Sequence, residues 1–282
     1  MSDIQNYHKA SFNISKLITH SYSTSFSMGI KAFAPEYRDP VYSIYGYVRL
    51  ADEIVDSFHG YDKRKMLNEF RDETFESINK GISTNPVIHT FQQVVNKYKI
   101  DHELVEDFLK SMEMDLEQNS YARGNYDNYI YGSAEVVGLM CLKVFCLGDE
   151  KKYAELKEPA RALGSAFQKV NFLRDMKSDF EERGRIYLPD VHDVELIDDR
   201  SKTVLEDEVE REFQSALTGI LKLPLGVRLG VYSAYYYYFA LFNKIKRMEA
   251  KELLKRRVRI SNLKKFYLLI KSIIEIKVLR IA

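Results

Sequence analysis

The sequence predicts an all-α helical bundle, and three observations carry that expectation. Apolar residues recur at helical spacing along most of the chain. No stretch shows the strict alternation of a half-buried strand. Only 6 Pro and 13 Gly interrupt 282 residues, which leaves room for long helices. With 45% hydrophobic and 29% charged residues, the composition is that of an ordinary globular protein, and residues 1–282 read as one domain.

Taken from the N-terminus, helices are expected over 4–30, 40–58, 63–80, 86–98, 102–119, 127–147, 151–181, 203–221, 226–254 and 262–280. The second starts where Asp39 stands as a cap before Pro40, and the fourth repeats the device with Asn85 and Pro86. In the fifth, Leu104, Phe108, Leu109, Met112 and Leu116 form an apolar face behind Asp101. The eighth follows the polar, acidic interruption 190–199, with Thr203 and Glu206 spaced as a capping box. The tenth is amphipathic: Phe266, Leu269, Ile270, Ile273, Ile274, Val278 and Ile281 share a face edged by Lys264, Lys265, Lys271, Lys277 and Arg280.

Composition and charge narrow the function. Cys141 and Cys146 are too few for a disulfide framework and lack the partners of a zinc site, so a reducing cytoplasm is the expected location. Residues 1–11 lack the basic and apolar regions of a signal peptide. The most apolar stretches, near 139–147 and 234–242, are shorter than the roughly 20 residues of a bilayer crossing. A net charge of +1 hides an asymmetry, since residues 243–282 hold 13 Lys+Arg against 3 Asp+Glu. That basic end admits two readings: packing on the bundle, or peripheral contact with anionic membrane lipid through residues 263–281. No nucleic-acid partner is expected, because the positive charge is confined to the tail and no binding motif accompanies it.

Two stripes of acids carry the chemistry. Tyr45, Arg49, Asp52 and Asp56 fall at i, i+4, i+7 and i+11, one narrow face of a helix. Gln168, Asn171, Asp175 and Asp179 repeat the design at i, i+3, i+7 and i+11, flanked by Arg174. Either stripe alone is most simply the wet side of a helix. Together they offer oxygen ligands without His or Cys, the donor set of a hard cation such as Mg²⁺, with Mn²⁺ as a substitute. The interleaved arginines suit diphosphate oxygens. No Walker-type loop or dinucleotide fingerprint is present, so a nucleotide hydrolase or a nicotinamide-dependent enzyme gains no support. The 20 Tyr and 16 Phe are mostly core, yet ring faces lining a dry cavity would also stabilise a carbocation left by a departing diphosphate.

These residues resemble the squalene/phytoene synthase family, whose members join two prenyl diphosphates head to head. Ser23-Thr24-Ser25-Phe26 is similar to the family's N-terminal element, and the run from Tyr45 to Asp56 resembles its first aspartate-rich motif. The run from Gln168 to Asp179, followed by Arg183-Gly184-Arg185-Ile186-Tyr187-Leu188-Pro189, is similar to the second motif and its flap-like sequel. The resemblance implies an isoprenoid-synthase bundle with a central cavity. It implies that Asp52, Asp56, Asn171, Asp175 and Asp179 hold Mg²⁺ ions, with Asp52, Asp56, Asp175, Asp179 and Arg49 catalytic. Arg49, Gln168, Arg174, Tyr238 and Arg257 would contact diphosphate, and Ser23, Phe26, Tyr45, Tyr129 and Tyr187 would line the substrate cavity. One departure stands out: Glu135 occupies a run that is small in the family, at an expected helix kink.

Within the family, the absence of a C-terminal membrane helix and of a nicotinamide fingerprint implies the reductant-independent branch. The run from Tyr131 to Met140 resembles bacterial phytoene synthases, so geranylgeranyl diphosphate is the expected substrate and phytoene the product. Squalene or dehydrosqualene formation from farnesyl diphosphate is the sibling alternative. A non-catalytic helical binder of prenyl lipids is the alternative from another class.

Overall fold

The structure, a computed structural model, describes residues 2–117, 120–191, 193 and 196–278. In chain order it comprises α1 (Asp3–Tyr22), α2 (Thr24–Lys31), α3 (Pro35–Asp56), α4 (Lys63–Lys80), α5 (Pro86–Tyr98), α6 (His102–Glu117) and α7 (Arg123–Ile130). A π-helical turn, Tyr131–Glu135, leads into α8 (Val136–Cys146), followed by α9 (Glu150–Arg183), α10 (Asp199–Ile220), α11 (Leu225–Ile245), α12 (Ala250–Leu253) and α13 (Asn262–Ile273). A second π segment, Ile274–Val278, extends α13. Among the described residues no strand forms; a lone parallel bridge joins Ser120 to Ile186.

Several boundaries depart from the sequence reading, each for a local reason. The expected helix 4–30 breaks at Ser23, whose extended backbone lets its Oγ accept from the Phe26 N–H at 3.2 Å and cap α2. Asp39 and Pro40 do not start α3. The chain enters one turn earlier with Pro35 in the first turn, and Pro40 is tolerated inside at the loss of one backbone bond. Asn85 does cap α5, accepting from the N–H groups of Val87 and Ile88.

The helix expected over 127–147 begins at Arg123 and carries the π turn, an inserted residue's worth of bulge. Glu135 closes that turn, fixed by Arg161, which donates to it at 2.7 Å. The carboxylate thus anchors the local irregularity from outside. Thr203 and Glu206 form no capping box: α10 starts at Asp199, capped by Asp198 with Ser201, while the Thr203 hydroxyl donates back to the Asp199 carbonyl. Helix 226–254 is two elements, because the Asp199 carboxylate captures the Ala250 N–H at 2.8 Å and starts α12 afresh. The last helix is cut to α13 and its π segment, and the expected end at 279–280 lies outside the described residues, as do 118–119 of the fifth.

One further sequence statement needs correction. The continuous helical run Arg123–Cys146 is long and apolar enough by length and composition to cross a membrane. Within the fold, 67% of its apolar window is buried, and it serves as a core helix. Lys143, near its end, is buried against the Tyr153 ring, 4.3 Å from its centroid, and paired with Asp101 and Glu150.

Two helices organise the molecule. α3 is flanked by α1, α4, α5 and α6, whereas α9 is flanked by α10, α11 and the π turn, and α8 packs against both. The acid-bearing helices therefore face each other across α8 with space between them. Small residues set the spacing. A Cβ on Gly164 would lie 2.7 Å from the Ala134 carbonyl of the π turn, and one on Gly230 would strike the Phe33 ring and the Gly29 carbonyl. These contacts draw α9 onto the π turn and α11 onto α2, closing the walls of the interior.

Candidate active site

Two cavities meet between α3 and α9. The first, about 200 Å³, is polar and lined by Arg49, Asp52 and Asp56 of α3 and by Gln168, Asn171, Arg174, Asp175 and Asp179 of α9. The second, about 280 Å³, is apolar and lined by Phe26, Ile30, Tyr45, Val137, Leu163, Phe167 and Tyr238 among others. Gln168 and Asn171 belong to both walls, so the polar chamber adjoins the apolar one at these two side chains.

The distance between the two acid stripes is short enough for a single side chain to span. Arg183 lies with Nε 3.5 Å from an Asp56 oxygen and Nη1 2.7 Å from Asp179. One guanidinium spans α3 and α9, so a ligand no wider than a diphosphate can touch both. The other acids are also matched by cations: Asp52 with Arg49 at 3.8 Å, Asp56 with Arg185 at 2.8 Å, and Asp175 with Arg174 and, at 2.6 Å, Arg257. Among the described residues no group of three or more His, Cys, Asp or Glu side chains converges tightly enough to cage an ion alone. The donor set still fits a hard divalent ion, which takes one or two carboxylates and completes its shell with water and substrate phosphate. Arg49 supports the anionic half of that fit, since its buried Nε–H has no partner.

Burial pushes the Asp52 carboxyl up to about 7, with Asp56 and Asp115 adding to the shift and Arg49 opposing it. Asp179 is likewise pushed up to about 7, chiefly by burial, with Asp175 adding and Arg183 opposing. Both groups hold protons in the metal-free fold at pH values where an unfolded chain has released them. Their contribution to stability is therefore present at low pH and is lost as pH rises toward about 7. A bound cation displaces these protons. The expected outcome is that Mg²⁺ raises the Tm of EDTA-stripped protein more at pH 8 than at pH 5.5; an equal increment at both would refute the assignment.

The remaining sequence candidates divide by location. Tyr45 and Phe26 stack at 4.7 Å in the apolar chamber, and burial pushes the Tyr45 phenol up to about 12. Tyr238 stacks on Phe167 at 4.0 Å and donates to the Asn171 side-chain oxygen at 3.2 Å. Tyr129 and Tyr187 line the polar chamber instead, with Tyr187 stacked 4.2 Å from Phe172. Ser23 lines neither chamber and caps α2. Arg257, half exposed, stands outside the chamber linings and reaches in through Asp175. Cys141 borders the apolar chamber, its thiol pushed up to about 12 by burial, and Cys146 is free and shifted the same way, so neither is an activated nucleophile.

The structure adds residues to which the sequence reading gave no role. Asp115 of α6, buried, lines the polar chamber together with Met112, Arg183 and Arg185. Arg183 is the last residue of α9, one turn past Asp179, and Arg185 arrives by way of Gly184, whose left-handed conformation (φ 66°) ends α9 and turns the chain back. The Arg185 N–H then donates to the Asp179 carbonyl at 2.9 Å, which delivers the side chain to Asp56.

An all-α bundle with facing acid stripes over an apolar chamber defines the isoprenoid-synthase class. The chain belongs to the squalene/phytoene synthase family, whose model matches residues 19–264. It is therefore a prenyltransferase, and this disfavours the non-catalytic binder. Among relatives, a phytoene synthase of Arthrospira platensis is 28% identical over 264 residues, covering 85% of each chain. The chloroplastic phytoene synthase 1 of Arabidopsis thaliana is 26% identical over 254 residues, covering 83% of this chain and 60% of the relative. A ligand-bound crystal structure of a dehydrosqualene synthase shares the fold with a TM-score of 0.82 at 20% identity, covering 98% of this chain and 99% of the other.

Proposed function

We propose that the protein condenses two geranylgeranyl diphosphates head to head, through prephytoene diphosphate, to phytoene, in a Mg²⁺-dependent reaction without a nicotinamide cofactor. The observation that carries this reading is the adjoining pair of chambers: a charged one sized for diphosphate, sharing Gln168 and Asn171 with an apolar one suited to prenyl chains. The choice of the longer donor is supported by relatives named phytoene synthase. Farnesyl diphosphate, giving squalene or dehydrosqualene, is the competing outcome.

Asp52, Asp56, Asn171, Asp175 and Asp179 are the residues placed to hold the divalent metal, which when bound would neutralise charge growing on a departing diphosphate. Arg49 supplies an unused Nε–H, and Arg174 and Arg257 can exchange Asp175 for phosphate oxygens. The carbon–oxygen bond of one donor breaks and its electron pair leaves with the diphosphate. The double bond of the second donor attacks the allylic cation, and one proton is lost as the cyclopropane closes. Departure of the second diphosphate, rearrangement and loss of a second proton complete the hydrocarbon. Stacked Tyr129, Phe172 and Tyr187 keep water from the cations and face them with electron-rich rings. The test is incubation with Mg²⁺ and either geranylgeranyl or farnesyl diphosphate, with and without reduced nicotinamide. Hydrocarbon from the longer donor alone, identified by mass and without reductant, is the expected result; product only from the shorter one overturns the chain-length assignment.

The same reading places the enzyme in the cytoplasm against an anionic membrane. Leu263, Phe266, Tyr267, Ile270 and Ile274 are all exposed, Leu263 by 81% and Phe266 by 63%, and they fall at i, i+3, i+4, i+7 and i+11. Only Leu268 and Ser272 of α13 are buried, so packing on the bundle does not consume this face. Such a stripe, in a segment carrying 13 Lys+Arg against 3 Asp+Glu, complements a negatively charged lipid surface. Co-sedimentation with vesicles rich in phosphatidylglycerol at low salt is expected, with loss in Phe266→Glu/Ile270→Glu. Binding that ignores either the lipid charge or these substitutions overturns the assignment.

A further inference from the structure

Asp115 is nine-tenths buried at the bottom of the polar chamber, and its carboxylate is surrounded by phenols. Tyr121 donates to Oδ1 at 2.8 Å, Tyr187 to Oδ1 at 2.9 Å and Tyr129 to Oδ2 at 2.7 Å. These rings come from three separate parts of the chain: the segment before α7, α7 itself, and the segment after α9. Tyr187 stacks on both Tyr121 and Tyr129, which tilt against each other, with centroids 4.8 to 5.8 Å apart, and Phe172 closes the group on Tyr187. Arg185 ties the assembly to the acid stripe, donating through Nη2 to the Asp115 backbone carbonyl at 2.9 Å and through Nη1 to Asp56 at 2.8 Å and to the Tyr187 hydroxyl oxygen at 3.3 Å.

A phenol has one proton to donate and two lone pairs to offer. Once that proton is committed to a carboxylate, the hydroxyl can present only acceptor character to whatever else it meets. We propose that Asp115 is a positioning residue that turns the Tyr129 hydroxyl oxygen, lone pairs outward, toward the carbocations formed when each diphosphate leaves, while Tyr187, whose oxygen accepts from Arg185, braces the carboxylate. This orientation removes acidic protons from the chamber wall and supplies fixed partial negative charge where positive charge develops. It bears most heavily on the second ionisation, because the cyclopropylcarbinyl cation must rearrange before water or diphosphate recaptures it. The inference rests on the head-to-head reading given above and deepens it.

The experiment compares Asp115→Asn, Tyr129→Phe and wild type in single incubations with Mg²⁺ and prenyl diphosphate. Hydrocarbon, cyclopropyl diphosphate and water-quenched alcohols are each quantified by mass. In Asp115→Asn the amide can accept through only one oxygen and points an N–H pair at the phenols, reversing the polarity of at least one. The expected result is that the ratio of hydrocarbon to cyclopropyl diphosphate plus alcohols falls roughly tenfold or more, while first-donor consumption falls less. Tyr129→Phe, which leaves Asp115 in place, is expected to shift the ratio in the same direction. A purely structural role would lower both steps together and leave the ratio unchanged, and that outcome in both variants overturns the inference alone. If Asp115→Asn fails to fold, Tyr129→Phe decides: an unchanged ratio overturns the inference. A wild-type chain that consumes no prenyl diphosphate overturns the functional reading and the inference with it.

Discussion

Asp52→Asn and Asp175→Asn should each lower kcat by at least about a hundredfold while leaving the helical circular dichroism spectrum unchanged. The size of the loss follows from the exchange that substrate binding requires. In the free protein Asp175 is neutralised by Arg174 and Arg257, while Asp52 lies 3.8 Å from Arg49, which also pairs with Glu53. On the proposed reaction, a metal–diphosphate ligand would separate those pairs, with the acids free to hold the cation and the guanidiniums to meet phosphate oxygens. An amide keeps the shape but cannot bind a hard cation with comparable strength, so the arginines would grip a diphosphate whose leaving charge is only half met. The stability side has the opposite sign. Because burial pushes the Asp52 carboxyl up to about 7, its ionised form is disfavoured in the metal-free fold, and a neutral isostere removes that strain. Asp52→Asn is therefore expected to match or exceed wild type in metal-free Tm, the usual trade of stability against activity at a functional site. Near-normal turnover in the purified variants would reject the ligand role; collapse of the helical spectrum would make these folding residues.

Periodicity made the helices and the two acid stripes legible, because 3.6 residues per turn brings i, i+4, i+7 and i+11 into line whatever surrounds them. That the stripes share one chamber is a tertiary fact, and the sequence could reach it only through the family resemblance. Caps were less readable. Asn85 before Pro86 starts a helix, whereas Asp39 before Pro40 does not, since Pro35 had already started one and a proline one turn inside costs a single bond. Asp115 was overlooked for a related reason. It sits on the same face as Phe108 and Met112, a carboxylate in an apolar register, and that mismatch was the available signal. Arg183 continues the second stripe by one turn beyond Asp179, whereas Arg185 lies past a glycine where periodicity says nothing, and only the left-handed turn at Gly184 brings it back to Asp56. The amphipathic face of α13 was visible in the sequence, but whether the bundle covers it depends on α11: Phe266, Ile270 and Ile274 stay exposed while Leu269 and Ile273 are half-buried.

Arg185→Met should be the most destabilising single change in the site, costing about 3–5 kcal/mol and lowering Tm by roughly 5–10 °C. The Arg185 side chain is 8% exposed and satisfies the Asp56 carboxylate and the Asp115 backbone carbonyl, with its Nη1 also donating to the Tyr187 hydroxyl at 3.3 Å. Methionine fills much of the same volume, so packing loss is small and the cost arises from largely buried acceptors left without a donor. Arg183, 3.5 Å from Asp56, offsets part of the uncompensated charge but cannot reach across to α6 as the structure has it. Lysine at 185 is expected to rescue little, because one ammonium cannot bridge Asp56 and the Asp115 carbonyl in the planar, two-pronged manner of a guanidinium. The charge argument makes a sharper demand in the double variant. Arg185→Met/Asp56→Asn removes the stranded acid along with its partner, so it should recover part of the Tm lost in Arg185→Met alone, with a coupling energy above about 1 kcal/mol. If the two losses simply add, Arg185 acts through packing, and the loop it anchors is held by something other than its tie to the acid stripe.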